Sequence, residues 1–63
     1  MTFRELLKKK RYNCYTMAKE LSLSEHTLYN WADKRSTPSP QKIKRMSELL
    51  ECTTDEVIDA LLS

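Results

Sequence analysis

The sequence predicts an all-α protein, a compact bundle of five short helices. Three observations carry that expectation. Apolar residues recur at helical spacing in five segments, no stretch keeps the period-two alternation of a half-buried strand, and a capping residue precedes every segment. With no glycine in the chain, its turns must be made by Ser, Asn, Asp, Thr and Pro.

The first segment covers residues 2–10. Thr2 and Glu5 form a T-x-x-E capping box that satisfies the orphan amides of a helix start. Phe3, Leu6 and Leu7 share one face, and the cations Lys8, Lys9, Lys10 and Arg11 suit the negative end of the helix dipole. The second covers residues 14–21, with Asn13 as N-cap and Met17, Ala18 and Leu21 as its apolar stripe. Ala18 is small enough to let another helix approach. The third covers residues 25–32, capped by Ser24. Leu28 and Trp31 face inward with Ala32, leaving Glu25, His26, Tyr29 and Asn30 on the other side. Residues 34–40 form a loop ending in Ser39 as N-cap and Pro40 as first helical residue, where a missing amide costs nothing. The fourth segment, residues 40–50, carries Ile43, Met46, Leu49 and Leu50. The fifth opens at a second capping box, Thr53 with Glu56, and carries Val57, Ile58, Leu61 and Leu62 as one stripe. The expected core anchors are Ala18, Leu21, Leu23, Leu28, Trp31, Ile43, Met46 and Leu50.

A chain of 63 residues makes one domain, residues 1–63, and a small core that must be packed efficiently. Apolar residues at 40% and charged ones at 32% suit a folded chain rather than a disordered tail. No apolar run approaches the roughly 20 residues of a membrane span. The start, MTFRELLKKKR, places its charges after its few apolar residues, the reverse of a secretory signal, so a cytoplasmic location is expected. Cys14 and Cys52 form no C-x-x-C pair, and His26 is the sole histidine, so no zinc site is expected. The thiols are expected to be reduced, one exposed and one partly buried. No nucleophile–base pair, metal set or phosphate-cradling glycine loop is present, which argues against an enzyme and against a cofactor.

The net charge of +2 conceals a polarity. All eleven basic and four acidic side chains lie in residues 1–45, a net +7, while residues 46–63 hold the other five acidic ones and no base, a net −5. One side of the molecule is suited to a polyanion and another is turned away from it.

Between the second and third segments stand only Ser22, Leu23 and the cap Ser24. So short a connection enforces a tight corner, with Leu23 plugging the angle. Two short helices on such a corner, the second anchored by large apolar residues and polar outside, form a helix-turn-helix. Its second helix fits the DNA major groove while the first lies across the backbone. From Asn13 to Trp31 the chain resembles the Cro/C-repressor (XRE-type) helix-turn-helix family, with Asn13, Ala18, Leu23, Ser24, Thr27, Leu28 and Trp31 in step. The likeness continues through Pro38 and Ser39, through Ile43, Met46 and Leu50, and through Cys52, Thr53, Glu56, Val57 and Ile58. The chain departs from the family pattern at Ser22, where Gly is usual, and after Trp31, where Ala32-Asp33-Lys34 lacks the usual Gly. It also has Cys14 for a helix-opening Gln and Leu7 for an Arg. A left-handed backbone at Ser22 would cost more than at Gly.

The resemblance implies a lambda-repressor-like fold and a small phage-like or bacterial transcriptional regulator. It places Glu25, His26, Tyr29 and Asn30 where family members touch bases, and Asn13, Ser24, Thr27, Lys34, Arg35 and Ser39 at or near the DNA backbone. Asn pairs with adenine, Glu accepts from cytosine N4, and backbone contacts add affinity without sequence information. The implied partner is double-stranded DNA, a pseudo-palindromic operator bound by a homodimer. The dimer would form through exposed residues of the last two helices, such as Leu49, Leu61 or Leu62, or through the loop after Trp31. Two other uses of the fold remain open: a protein-interaction module of antirepressor or antitoxin type, favoured by the acidic block from Glu48 to Asp59, and an excisionase-like architectural DNA binder.

Overall fold

A computed structural model describes residues 1–63 and contains five α-helices: α1 Phe3–Lys9, α2 Cys14–Leu21, α3 Glu25–Ala32, α4 Pro40–Leu50 and α5 Thr54–Leu62. Each begins one residue after the cap that the sequence marks, because an N-cap bond spans only three residues and needs no tertiary help. Thr2 Oγ1 accepts from the Glu5 amide at 3.2 Å and Glu5 Oε1 accepts from the Thr2 amide at 2.8 Å, the full capping box. Asn13 and Thr16 make the same reciprocal pair at 2.8 and 2.9 Å, which the sequence pattern did not announce because Thr replaces the usual Glu. The second expected box forms by half. Thr53 Oγ1 accepts from the Glu56 amide at 3.2 Å, and the Glu56 carboxylate does not return the bond.

The Thr2 amide and hydroxyl hold the Glu5 carboxyl below the ordinary glutamate range. A depressed pKa means this stabilisation is complete above the unfolded value, about 4.3, and is lost as pH falls through the lower folded value. Protection of the first-turn amides of α1, measured against the intrinsic exchange rate at each pH, is therefore expected to fall below that pH, and Glu5→Gln is expected to flatten the dependence. An unchanged profile in Glu5→Gln would assign the acid response to other carboxylates.

Four helices end alike. Arg11, Ser22, Lys34 and Glu51 have φ of 66°, 58°, 62° and 54°, the left-handed region. After each, the next amide reaches back five residues: Tyr12 to the Leu7 carbonyl at 2.8 Å, Leu23 to Ala18 at 2.8 Å, Arg35 to Asn30 at 2.8 Å and Cys52 to Ser47 at 3.0 Å. These are Schellman motifs, which normally place Gly at the left-handed residue. Tyr12, Leu23 and Cys52 then fold back onto the core, as the motif's apolar contact requires. After α3 that position is Arg35, which is exposed, and the chain leaves the core as the loop before Ser39.

The packing closes a ring. α2 lies on α3 and α4, α4 on α5, and α1 spans α5 and α3. The 13 buried apolar residues form one cluster, with Leu7, Met17, Leu28, Met46, Leu50 and Val57 fully enclosed at its centre. Of the expected anchors, Ala18, Leu21, Leu28, Trp31, Met46 and Leu50 are buried, whereas Leu23 and Ile43 are half-buried and pack against the cluster from its edge. Leu23 is exposed on one side because it caps a corner rather than filling a cavity.

The stripe of α5 is turned from its expected position. Val57 and Ala60 point inward, Leu61 is half-buried, and Ile58 and Leu62 are 38% and 73% exposed. Two adjacent apolar pairs at this spacing permit either face to dock, and the helices beside α5 select the narrower one. Cys14 is buried and Cys52 half-buried, so neither thiol is the exposed one anticipated; both are free, and burial pushes both pKa values up. Pro38, expected only as loop, is buried, as is Ser47, whose hydroxyl donates to the Lys44 carbonyl at 2.6 Å. No helix is long and apolar enough to cross a membrane.

Candidate nucleic-acid interface

The corner between α2 and α3 is built as the sequence requires. Ser22 takes the left-handed conformation, Leu23 turns back on the core, and Ser24 caps α3 by accepting from the Thr27 amide at 3.4 Å. The Ser24 and Thr27 hydroxyls also bond each other at 3.0 Å. Leu28, fully enclosed, and Trp31, 5% exposed, hold α3 against the core. The opposite face follows from helical period: His26 and Tyr29 are exposed, Glu25 and Asn30 half-exposed. His26 and Asn30 have no side-chain partner in the protein, whereas the Tyr29 ring is partly overlain by the Arg4 guanidinium of α1. The helix of eight residues is about 12 Å long, a length and width that a major groove admits.

Two of the four outward side chains are joined. The Tyr29 hydroxyl donates to Glu25 Oε2, one helical turn away, and this bond pushes the Tyr29 phenol pKa up. His26 and Asn30 make no side-chain hydrogen bond within the protein, so their donors and acceptors are free for a ligand.

The expected backbone-contact residues are dispersed along the rim. Asn13 sits at the start of α2, its side-chain oxygen already accepting from the Thr16 amide while its amide nitrogen remains free. Ser39 caps α4, accepting from the Lys42 amide at 3.4 Å. Arg35 is exposed in the loop after α3. Lys34 is engaged elsewhere: its Nζ donates to the Leu62 carbonyl at 3.3 Å, placing a cation at the negative end of α5. That bond is solvent-exposed and weak enough to exchange for a phosphate.

Arg4, on α1, was not marked by the sequence. Its guanidinium lies 5.4 Å from the Tyr29 ring centroid and 3.2 Å from Asp33 Oδ1 at the end of α3. It lines a groove of about 400 Å³ together with Lys8, Asn13, Tyr15, Glu25 and Tyr29, where α1, α2 and α3 meet. No local pattern could have found it, since its partners are 25 and 29 residues away. Lys8 shares the groove, which places one residue of the Lys8–Arg11 cluster beside the reading helix. No group of three or more His, Cys, Asp or Glu is arranged to hold a metal.

A helix anchored by two large apolar residues, capped at a tight corner and polar on its outer side, defines the class of helix-turn-helix DNA-binding domains. The Cro/C1-type HTH DNA-binding domain model matches residues 2–61, nearly the whole chain, and the chain belongs to that family. No curated protein and no solved structure matches it significantly. Membership establishes a DNA-binding regulatory domain.

Proposed function

We propose that this protein is a sequence-specific, double-stranded-DNA-binding transcriptional regulator of the small Cro or repressor type. One observation supports this most directly: the outer face of α3 presents Glu25, His26, Tyr29 and Asn30, exposed or half-exposed, while Leu28 and Trp31 fix the helix from behind. Glu25, His26, Tyr29 and Asn30 read base edges. Asn13, Ser24, Thr27, Arg35 and Ser39 meet the backbone, and Lys34 joins them when its bond to Leu62 opens. The protein acts in the cytoplasm as a homodimer on a pseudo-palindromic operator, with half-sites about 34 Å apart.

Selection of bound oligonucleotides from a random pool tests this reading. An enriched inverted repeat is expected. Asn30→Ala is expected to weaken binding to the selected site by about 1–3 kcal/mol and to relax preference at one base pair. Binding that is undetectable, or insensitive to salt, would refute the reading, because phosphate neutralisation makes affinity fall steeply with salt.

The exposure of Leu62 at 73%, with Ile58 one turn before it, favours a second reading in which the fold docks a protein partner through α5. In that case function survives Asn30→Ala and fails with Leu62→Asp. Under the first reading Leu62→Asp leaves each half-site contact intact.

A further inference from the structure

Arg4 belongs to a different helix from the side chains it touches. Its guanidinium covers the Tyr29 ring and donates to Asp33 at the end of α3, and the Tyr29 hydroxyl in turn donates to Glu25 at the start of α3. One residue of α1 therefore restrains the outward face of α3 at its middle and at its end, and through Tyr29 at its beginning.

Resting on the DNA-binding reading above, we propose that Glu25 and Tyr29 act as one unit that reads a cytosine in the major groove, with Arg4 as its positioning residue. A phenol has a single proton to donate. Here it is committed to Glu25 Oε2, so the Tyr29 oxygen is left only as an acceptor, beside the remaining lone pairs of the Glu25 carboxylate. The pair presents acceptors and no donor. In the major groove cytosine presents the N4 amino donor, guanine presents two acceptors, thymine an acceptor and a methyl group, and adenine a donor next to an acceptor. An acceptor-only surface matches cytosine, meets acceptor with acceptor at guanine and thymine, and matches adenine by half.

Such a surface needs to be held. A lone carboxylate facing phosphates is repelled and turns away, whereas this one is tied to a ring that a cation pins in place. Arg4 lies within the ~6 Å at which a guanidinium is attracted to a ring face, and it holds the ring to which Glu25 is bonded. The Arg4–Asp33 pair is 56% and 48% exposed, so it adds little to stability; its effect is on geometry. A phenol, with an ordinary pKa of about 10, keeps its proton throughout the physiological range, and the bond to Glu25 pushes the Tyr29 value further up.

The experiment is oligonucleotide selection and mobility-shift titration with the full chain and with Arg4→Ala, Tyr29→Phe and Glu25→Gln, each checked by thermal melting. The wild type is expected to prefer cytosine over guanine at one position of each half-site by about fivefold or more. Glu25→Gln, which replaces acceptors by a donor and an acceptor, is expected to abolish the preference and so to identify the position. Tyr29→Phe and Arg4→Ala are expected to reduce it several-fold at that same position, with preferences elsewhere and the melting temperature unchanged. Preservation of the cytosine preference in Tyr29→Phe and Arg4→Ala would overturn the proposal while leaving the DNA-binding reading intact. So would an Arg4→Ala variant that binds every sequence more weakly by one factor, since that describes a phosphate contact. A wild type without any sequence preference would overturn both.

Discussion

Replacing Trp31 with alanine is expected to leave most of the protein unfolded at 37 °C. The side chain is 5% exposed and belongs to the central apolar cluster. Truncating a buried Trp costs about 3–5 kcal/mol, part in lost transfer energy and part in the cavity left behind. A chain of this size has roughly 3–9 kcal/mol of stability in all, so the substitution removes between about a third and all of it, and more than half at the middle of both ranges. Leu28→Ala, at a fully enclosed site, is expected to follow at about 2–5 kcal/mol. Urea titration followed by circular dichroism measures both, and DNA binding should disappear with the folded fraction. A Trp31→Ala variant that melts close to the wild type would show that α3 is held by something other than its apolar face.

The second large effect has the opposite sign. The triple variant Arg11→Gly, Ser22→Gly, Glu51→Gly is expected to be more stable than the natural chain by about 1.5–3 kcal/mol. All three residues are in the left-handed region, where a side chain is crowded by the following carbonyl at a cost of about 1–2 kcal/mol. Glycine removes that cost and returns part of it through the greater freedom of the unfolded chain, about 0.4–1 kcal/mol per site. The net gain corresponds to a rise in melting temperature of about 10 °C or more for a protein this small. All three side chains are exposed, so no core packing is lost. A melting temperature at or below that of the parent would mean that these side chains make compensating contacts in the folded state.

The same four turns show where the sequence was legible and where it was not. Ser22 could be flagged, because the corner it occupies is short and its neighbours match a known pattern. Arg11, Lys34 and Glu51 carry no such mark, since charged residues are rare at left-handed positions and glycine, the usual signal, is missing. Helix starts were legible throughout. Caps at Thr2, Asn13, Ser24, Ser39 and Thr53 act across three residues and are settled by local chemistry. The buried face of α5 is not legible because Val57, Ile58, Leu61 and Leu62 offer two faces of nearly equal hydrophobicity, and the sequence of α5 alone does not say which one its neighbours will meet.

By itself, the sequence determined the five helices, their starting points, the corner at Ser22–Ser24 and the inward anchoring of Leu28 and Trp31, which together assign this chain to its family. Each of those features depends on residues a few positions apart, where spacing and residue type are sufficient. The tertiary structure alone decided that Arg4 reaches Tyr29 and Asp33, that Lys34 closes onto the end of α5, and that Leu62 is left outside. Those contacts and exposures arise from how separate helices cross, and a crossing is fixed by the packing of the whole core rather than by any one segment.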